Sequence, residues 1–404
     1  MTTCLDTLTF YFLSAMYSIQ YLFLHLINLI LHPDRYRLSK TIAVPPRCLS
    51  NDDFGTHQYA KLSRYKFHYV EKGDRNNRLL LLIHGYPEFW YSWRFQLRNL
   101  SSYYWVVAID MKGFGDTDKP SARSEYDIPL LVTEMYDFLT AIGRKKCSIV
   151  THGMGGLLGW FFVNKFPDVV ENFVSIASAH PYSFLQELSL KRVSNASWYY
   201  FCQLPYFPER EEMKQDLVIF DKMFTRMLNS KRGNLTEQDV EAFKYTFSRI
   251  EDWVGPMNYV RTLLKRKFLG KNRSLKKTSV PTLFIVGNAD PYCSLEMICK
   301  SSEYVENFTL KIVEGGGHFL PQEMPNYINS LILDFMKMPE PLLLGMDPVQ
   351  ESGIFKKMIG AGKTVVNYGN QVWTTSVDTI DSVKKYSKIP KRISKKPSFL
   401  DRPK

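Results

Sequence analysis

The chain has 404 residues, of which 45% are hydrophobic, 23% charged and 14% aromatic. This much apolar surface can offset the entropy of ordering the chain, so a polypeptide disordered throughout is excluded. The 22 Gly and 21 Pro are too few for a collagen-like or low-complexity sequence, and six scattered Cys exclude a disulfide framework.

Most of the excess positive charge lies at the C-terminal end. Lys and Arg exceed Asp and Glu by 12 over the whole chain, and residues 384–404 contain nine Lys and Arg against Asp401 alone. The body is therefore only mildly basic, which removes most of the support for a nucleic-acid partner. We expect residues 339–404 to be a C-terminal extension whose basic tail, 384–404, is disordered. The tail either attracts anionic lipid head groups or is solvated without a partner.

A long apolar segment lies at the start of the chain. Residues 7–31 carry no Asp, Glu, Lys or Arg, and ~20 apolar residues are enough for a helix to cross a bilayer. The positively charged start and the small-residue cleavage site of a signal peptide are both missing. We therefore predict a membrane anchor over 1–35, single-pass or monotopic. Basic residues follow the segment and an acidic residue precedes it, so the positive-inside rule places the following domain in the cytosol.

Strand-like and helix-like runs alternate from Tyr59 onward. Strand-like runs lie at 79–83, 104–109, 147–150, 173–177, 281–286 and 308–313. The first is fully apolar, as is typical of a central parallel strand. Helical patterns lie at 128–142, 155–165 and 325–338. This alternation predicts an α/β fold with a mostly parallel sheet.

Residues 182–275 interrupt the alternation with helical and aromatic sequence and no clear strand. We therefore predict a core made of 50–181 and 276–338. Residues 182–275 would then form a helical cap inserted between the sixth and seventh strands.

Residues able to carry chemistry follow four of the predicted strands. Ligands of an open parallel sheet bind beyond the carboxyl ends of its strands. There the sequence places the segments His84–Pro87 and Thr151–Gly156, then Asp290, then His318. An acid and then a histidine after late strands match the chain order of the α/β-hydrolase fold. Taken singly, Asp290 suits a turn and His318 a buried core position, but the ordered set favours a catalytic site.

Residues 59–338 resemble the epoxide hydrolase family of α/β hydrolases, in its membrane-anchored branch. The likeness is most specific in three core segments and two cap segments: His84–Trp93, Asp110–Pro120, Gly315–His318, Gln203–Pro205 and Gly255–Arg261. Haloalkane dehalogenases share the core, but the cap segments favour the epoxide branch. The resemblance implies an α/β-hydrolase fold, a lipophilic epoxide or fatty-acid-derived ligand, and no cofactor or metal. It also implies an endoplasmic reticulum membrane with the hydrolase domain facing the cytosol.

The family's mechanism assigns roles to particular positions. An Asp after the fifth strand attacks the epoxide and forms an ester, while two cap tyrosines donate hydrogen bonds to the opening oxygen. A histidine held by an acid then activates the water that cleaves the ester. By position, Asp290 corresponds to the acid and His318 to the base, and the backbone N–H groups of Tyr86 and Met154 form the oxyanion hole.

Two positions depart from the family's pattern. The nucleophile position is Gly153, which has no side chain to form the ester. One cap tyrosine corresponds to Tyr199 or Tyr200. The second falls on Val260, with Tyr259 one residue early, and such an offset turns a helical side chain by about 100°.

Three functional hypotheses follow from this pattern. The first is a pseudoenzyme whose cap-covered pocket binds a lipophilic ligand or a protein. The second is a residual hydrolase of epoxides or esters, in which Asp290 and His318 activate water directly and His152 assists. The third is a membrane-surface scaffold. The first is favoured because losing the nucleophile of a covalent mechanism removes most of its rate.

Overall fold

The computed structural model describes residues 4–187, 198–228, 235–269, 277–337, 365–368 and 371–374. The basic tail predicted at 384–404 and the cap boundary predicted at 275 lie outside these ranges.

The described strands form one sheet. They are β1 Thr56–Lys61, β2 Lys66–Lys72, β3 Leu79–Ile83, β4 Trp105–Ile109, β5 Cys147–His152, β6 Val170–Ile176, β7 Thr282–Gly287, β8 Phe308–Val313, β9 Val365–Tyr368 and β10 Gln371–Thr374. Their spatial order is β1-β2-β4-β3-β5-β6-β7-β8-β9-β10. The pairs from β4 across to β9 are parallel, while β1, β2 and β10 pair antiparallel. The predicted mostly parallel sheet is therefore confirmed.

The central strands are buried on both faces. Every residue of β3 and β4 is buried, as are all residues of β5 and β7. Helices cover both faces of a parallel sheet, so its strands can be apolar throughout without exposing apolar surface. The uninterrupted apolar runs of the sequence thus correspond to the middle of the core.

The helices alternate with the strands in the core and cluster between β6 and β7. The first five are α1 Cys4–Leu31, α2 Arg94–Leu100, α3 Ile128–Ala141, α4 Gly153–Lys165 and α5 Pro181–Glu187. The later ones are Phe207–Glu212, Val218–Leu228, Glu237–Thr246, Glu251–Leu269, Leu295–Ser301, Leu320–Glu323 and Pro325–Phe335. We call the helices between β6 and β7 the cap. The predicted helical insertion between the sixth and seventh strands is confirmed.

Strand β5 and helix α4 differ in extent from the sequence prediction. The strand was expected to end at Val150 and the helix to begin at Gly155. The strand continues to His152 because Thr151 and His152 pair with β6, and the helix begins at Gly153. The turn between them is therefore tighter than predicted.

Helix α1 is long and apolar enough to cross a membrane. Its segment Leu8–Leu31 has 24 residues and a mean hydropathy of 1.4, although signal sequences meet the same criterion. One stripe of the helix, with Phe10, Leu13 and Tyr17, packs against Tyr200 at the start of the cap. The other large apolar side chains of the helix are mostly exposed. The N-terminal segment thus contacts the cap through one narrow face.

The C-terminal extension contributes two short strands. Strand β9 pairs with β8 in parallel, and β10 pairs with β9 in the antiparallel direction. Neither strand was predicted from the sequence.

Candidate active site

The turn between β5 and α4 holds Gly153 in a backbone conformation that favours glycine, with φ of +49°. A Cβ atom built on Gly153 would lie 3.4 Å from Nε2 of His318 and 3.7 Å from Cα of Gly85. These are ordinary contact distances, so the turn has room for a side chain. That side chain would begin directly against the His318 imidazole.

Asp290 and His318 meet at this corner from two different loops. Asp290 follows β7, His318 follows β8, and Nδ1 of His318 lies 2.8 Å from Oδ2 of Asp290. The backbone N–H groups of Tyr292 and Cys293 donate to Oδ1 of Asp290 at 2.7 and 2.9 Å. Burial raises the pKa of Asp290, but His318 and these N–H groups outweigh burial and lower it overall. An ionised Asp290 thus fixes the imidazole and leaves its Nε2 facing Gly153.

A buried ion pair lies beneath His318. Nδ1 of His152 lies 2.5 Å from Oε2 of Glu88, and Nε2 of His152 lies 2.9 Å from the carbonyl oxygen of His318. Both partners are acceptors, so His152 satisfies them when it is protonated. Burial lowers the pKa of His152, but the Glu88 carboxylate outweighs it and raises the pKa overall. Because both of its nitrogens are engaged, His152 positions the backbone of His318 and is not a free base.

Glu88 is the centre of this buried network. Besides His152, it accepts hydrogen bonds from the N–H of Gly85 at 2.8 Å and from Nε2 of Gln322 at 3.0 Å. Burial raises the pKa of Glu88, but His152 outweighs burial and lowers it to about 2. Nη1 of Arg94 donates to Oε1 of Gln322 at 2.9 Å and extends the network. Glu88 lies within the segment His84–Trp93, but its sequence position alone did not predict this role.

The two residues predicted to form the oxyanion hole flank the same corner. Tyr86 follows Gly85, whose Cα would contact a side chain at position 153. Met154 lies in the first turn of α4, where backbone N–H groups lack partners inside the helix. Their positions are compatible with the predicted role.

The structure distinguishes between the two candidate cap tyrosines. The Tyr199 phenol interacts electrostatically with Tyr292, and the Tyr292 ring centroid lies 5.0 Å from that of His318. Tyr200 instead stacks on Tyr17 of α1 at 5.1 Å. Tyr200 therefore lies against α1. Tyr199 packs against the same cluster but is also near enough to Tyr292 to interact with it electrostatically, which favours Tyr199 as the cap tyrosine.

The second cap tyrosine was expected near Tyr259 or Val260, but neither residue places a phenol beside Tyr199. The Tyr259 ring lies 5.6 Å from Phe114 and 5.5 Å from Tyr126, in the core. Val260 is buried, and its side chain has no polar group.

Within the described residues, no group of three or more His, Cys, Asp or Glu is arranged to hold a metal ion.

Comparison with known proteins agrees with this architecture. Residues 78–323 match the model of the α/β-hydrolase fold family. Human epoxide hydrolase 4 is 36% identical over 301 residues, which cover 72% of this chain and 82% of that protein. Epoxide hydrolase 3 of Xenopus tropicalis is 33% identical over 301 residues, covering 72% of this chain and 81% of that protein.

Solved structures are also similar. A Bacillus megaterium epoxide hydrolase in complex with an inhibitor superposes with a TM-score of 0.61 and 26% identity, covering 69% of this chain and 100% of that one. An epoxide hydrolase from Vigna radiata gives a TM-score of 0.60 and 26% identity, over 71% of this chain and 99% of that one. The fold and the loop-borne acid and histidine define an α/β hydrolase. Within that class, the chain belongs to the epoxide hydrolase family.

Proposed function

We propose that this chain has lost the covalent step of epoxide opening and uses its cap-covered apolar pocket to bind a lipophilic small molecule, an epoxide or a fatty-acid derivative. The observation that supports this proposal is the position of Gly153, where a Cβ atom would lie 3.4 Å from Nε2 of His318. The family's mechanism needs a carboxylate oxygen at this corner to attack the epoxide carbon. Glycine supplies only hydrogen.

The membrane is part of the same proposal. The exposed apolar side chains of α1 attach the chain to a bilayer, and the basic tail at 384–404 adds attraction to anionic lipid head groups. The hydrolase domain faces the cytosol, at the endoplasmic reticulum. Such a location supplies a ligand that partitions into lipid.

The mass of the intact protein tests the covalent step. The protein is mixed with 1,2-epoxydodecane, and an ester adduct is sought as a mass increase equal to that of the epoxide. We expect no adduct on the unaltered protein. The double variant Gly153→Asp with His318→Asn should accumulate one, because the restored carboxylate forms the ester and no base remains to hydrolyse it.

Gly153→Asn with His318→Asn is the matched control, since Asn has the size of Asp but no nucleophilic carboxylate. An adduct on the unaltered protein contradicts the loss of the covalent step. No adduct on the Asp variant contradicts an epoxide-competent pocket.

A second candidate function is a residual hydrolase of epoxides or esters. It is favoured by the 2.8 Å bond between Asp290 and His318, which leaves Nε2 of His318 directed at the open corner. There the imidazole can take a proton from water as the water attacks the substrate. Diol formation from 1,2-epoxydodecane that is abolished by His318→Ala would favour this candidate over the first.

A further inference from the structure

Glu212 is a buried carboxyl in the cap that none of the roles above includes. It ends the helix Phe207–Glu212 and is 8% exposed. Its Oε1 accepts a hydrogen bond from the Tyr86 hydroxyl at 3.4 Å. Tyr86 belongs to the loop after β3 that flanks the candidate site. Glu212 therefore connects the cap to the edge of that site.

The surroundings of Glu212 also reach the His318 side. Glu212 interacts electrostatically with Tyr292, whose ring lies 5.0 Å from that of His318. Tyr199 interacts with the same Tyr292 phenol. Glu212 and Tyr199 thus share one neighbourhood, on the cap side of the site.

Several titratable and hydrogen-bonding groups face Glu212, of which Trp198 and Tyr86 favour its ionised form. From the surrounding elements they are Tyr21, Tyr86, Trp198, Cys202, Tyr292 and, on its own helix, Glu211. Lys214 lies nearby but pairs with Glu211 at 2.5 Å. Burial, and then the charge of Glu211, raise the pKa of Glu212 to about 7, because an anion loses hydration there and meets a like charge.

A neutral carboxyl in this position has a defined hydrogen-bonding pattern. In the neutral carboxyl one oxygen carries the proton and the other remains an acceptor, as Oε1 is for Tyr86. A protonated carboxyl donates one hydrogen bond through that O–H. Carboxylic acids kept neutral by apolar surroundings serve as donors to substrate oxygens in other proteins.

We propose that Glu212 is a ligand-binding residue whose protonated carboxyl donates a hydrogen bond to an oxygen atom of the bound lipophilic molecule. This proposal rests on the proposed function, in which the pocket holds such a molecule. Glu212 then supplies a hydrogen-bond donor on the cap side. The family's pattern has two cap tyrosines there, and in this chain the second position is Val260, which has no phenol. The ligand class is a neutral epoxide, ether or carbonyl compound. An alkylammonium has no acceptor to offer.

A pair of probes that differ by one oxygen atom tests the donor. The affinities of 1,2-epoxydodecane and 1-dodecene are measured by tryptophan fluorescence at pH 6 and pH 8.5, on the full chain. At pH 6 the epoxide should bind up to about tenfold more tightly, the effect of one hydrogen bond. At pH 8.5 this preference should disappear, because Glu212 is then ionised and no longer donates.

Two variants separate the donor from other effects. Glu212→Gln keeps an N–H donor that does not titrate, so its preference for the epoxide should persist at both pH values. Glu212→Leu should lose the preference at both, and dodecene reports whether the pocket remains intact in each variant. If Glu212→Leu does not fold, the pH profile of Glu212→Gln decides.

The outcomes also separate the two proposals. A preference that survives in Glu212→Leu, or a pH dependence that survives in Glu212→Gln, overturns the role of Glu212. Binding of neither probe by the unaltered protein overturns the lipophilic pocket instead. Release of diol overturns the loss of catalysis, and the role of Glu212 is then decided by whether Glu212→Leu slows that release.

Discussion

The two sides of the candidate active site differ in what holds their residues in place. On the base side, hydrogen bonds of 2.5–2.9 Å join Asp290, His318, His152 and Glu88. On the nucleophile side, Gly153 keeps the backbone turn and contributes no side-chain interaction. The side chains on the base side also stabilise the fold. At Gly153 the backbone alone maintains the turn.

The largest effect should come from the base side. Glu88→Leu leaves the N–H of Gly85, the protonated His152 and the amide of Gln322 without their shared acceptor. Removing one partner of a buried ion pair typically costs about 3–5 kcal/mol. We expect a loss of this size in the free energy of unfolding, measured by urea denaturation.

The exposed Glu306 provides the matched control for this variant. Glu306→Leu should change the free energy of unfolding by less than about 0.5 kcal/mol. A similarly small change in Glu88→Leu would contradict the structural importance of the base side.

The second effect is a loss of stability in acid. Glu88 has its pKa lowered from 4.5 to about 2 in the folded state. A carboxyl whose pKa falls on folding stabilises the protein above its unfolded pKa, and this stability is lost as the pH falls through the folded pKa. Unfolding measured from pH 5 to pH 2 should therefore lose about 3 kcal/mol from this group. Glu88→Gln should lose about that much less free energy of unfolding over the same pH range. An equal loss in the variant and the unaltered protein would contradict the lowered pKa of Glu88.

The smallest effect should come from the nucleophile side. Gly153→Asn should cost about 1 kcal/mol or less in thermal unfolding, because Asn tolerates a positive φ and the Cβ meets ordinary contacts. Gly115 is the matched control, since its φ of +47° is nearly the same but a Cβ there would collide with the Asp110 carboxyl. Gly115→Asn should cost more than about 2 kcal/mol. Equal costs at the two positions would show that position 153 has no spare room.

Much of the fold was predictable because the strongest signals are local. The runs at 79–83 and 308–313 are strands β3 and β8 with the predicted limits. The first is fully apolar, as suits a strand buried on both faces, while the second carries Thr309 and Lys311 at half-buried positions. The end of β5 was predicted wrongly because the pairing of His152 with β6 depends on the neighbouring strand and not on local sequence. Strands β9 and β10, which extend the sheet beyond β8, were not predicted.

The candidate site was predictable only in part. Chain order was enough to select Asp290 and His318, which the fold brings to 2.8 Å. It did not select between Tyr199 and Tyr200, because adjacent helical residues point in different directions and the sequence left the register open. Glu212 lies in a charge-rich segment that reads as a solvated surface, and only the fold reveals its burial.

The sequence by itself determined that position 153 has no side chain, since a missing functional group is a covalent fact that no folding can change. Only the tertiary structure decided that His152 is bonded through both ring nitrogens, that Tyr200 stacks on Tyr17 and that Glu212 meets Tyr86 across 126 positions of the chain. Such contacts depend on the direction in which each side chain leaves its own helix or loop. That direction is set by packing between segments far apart in sequence.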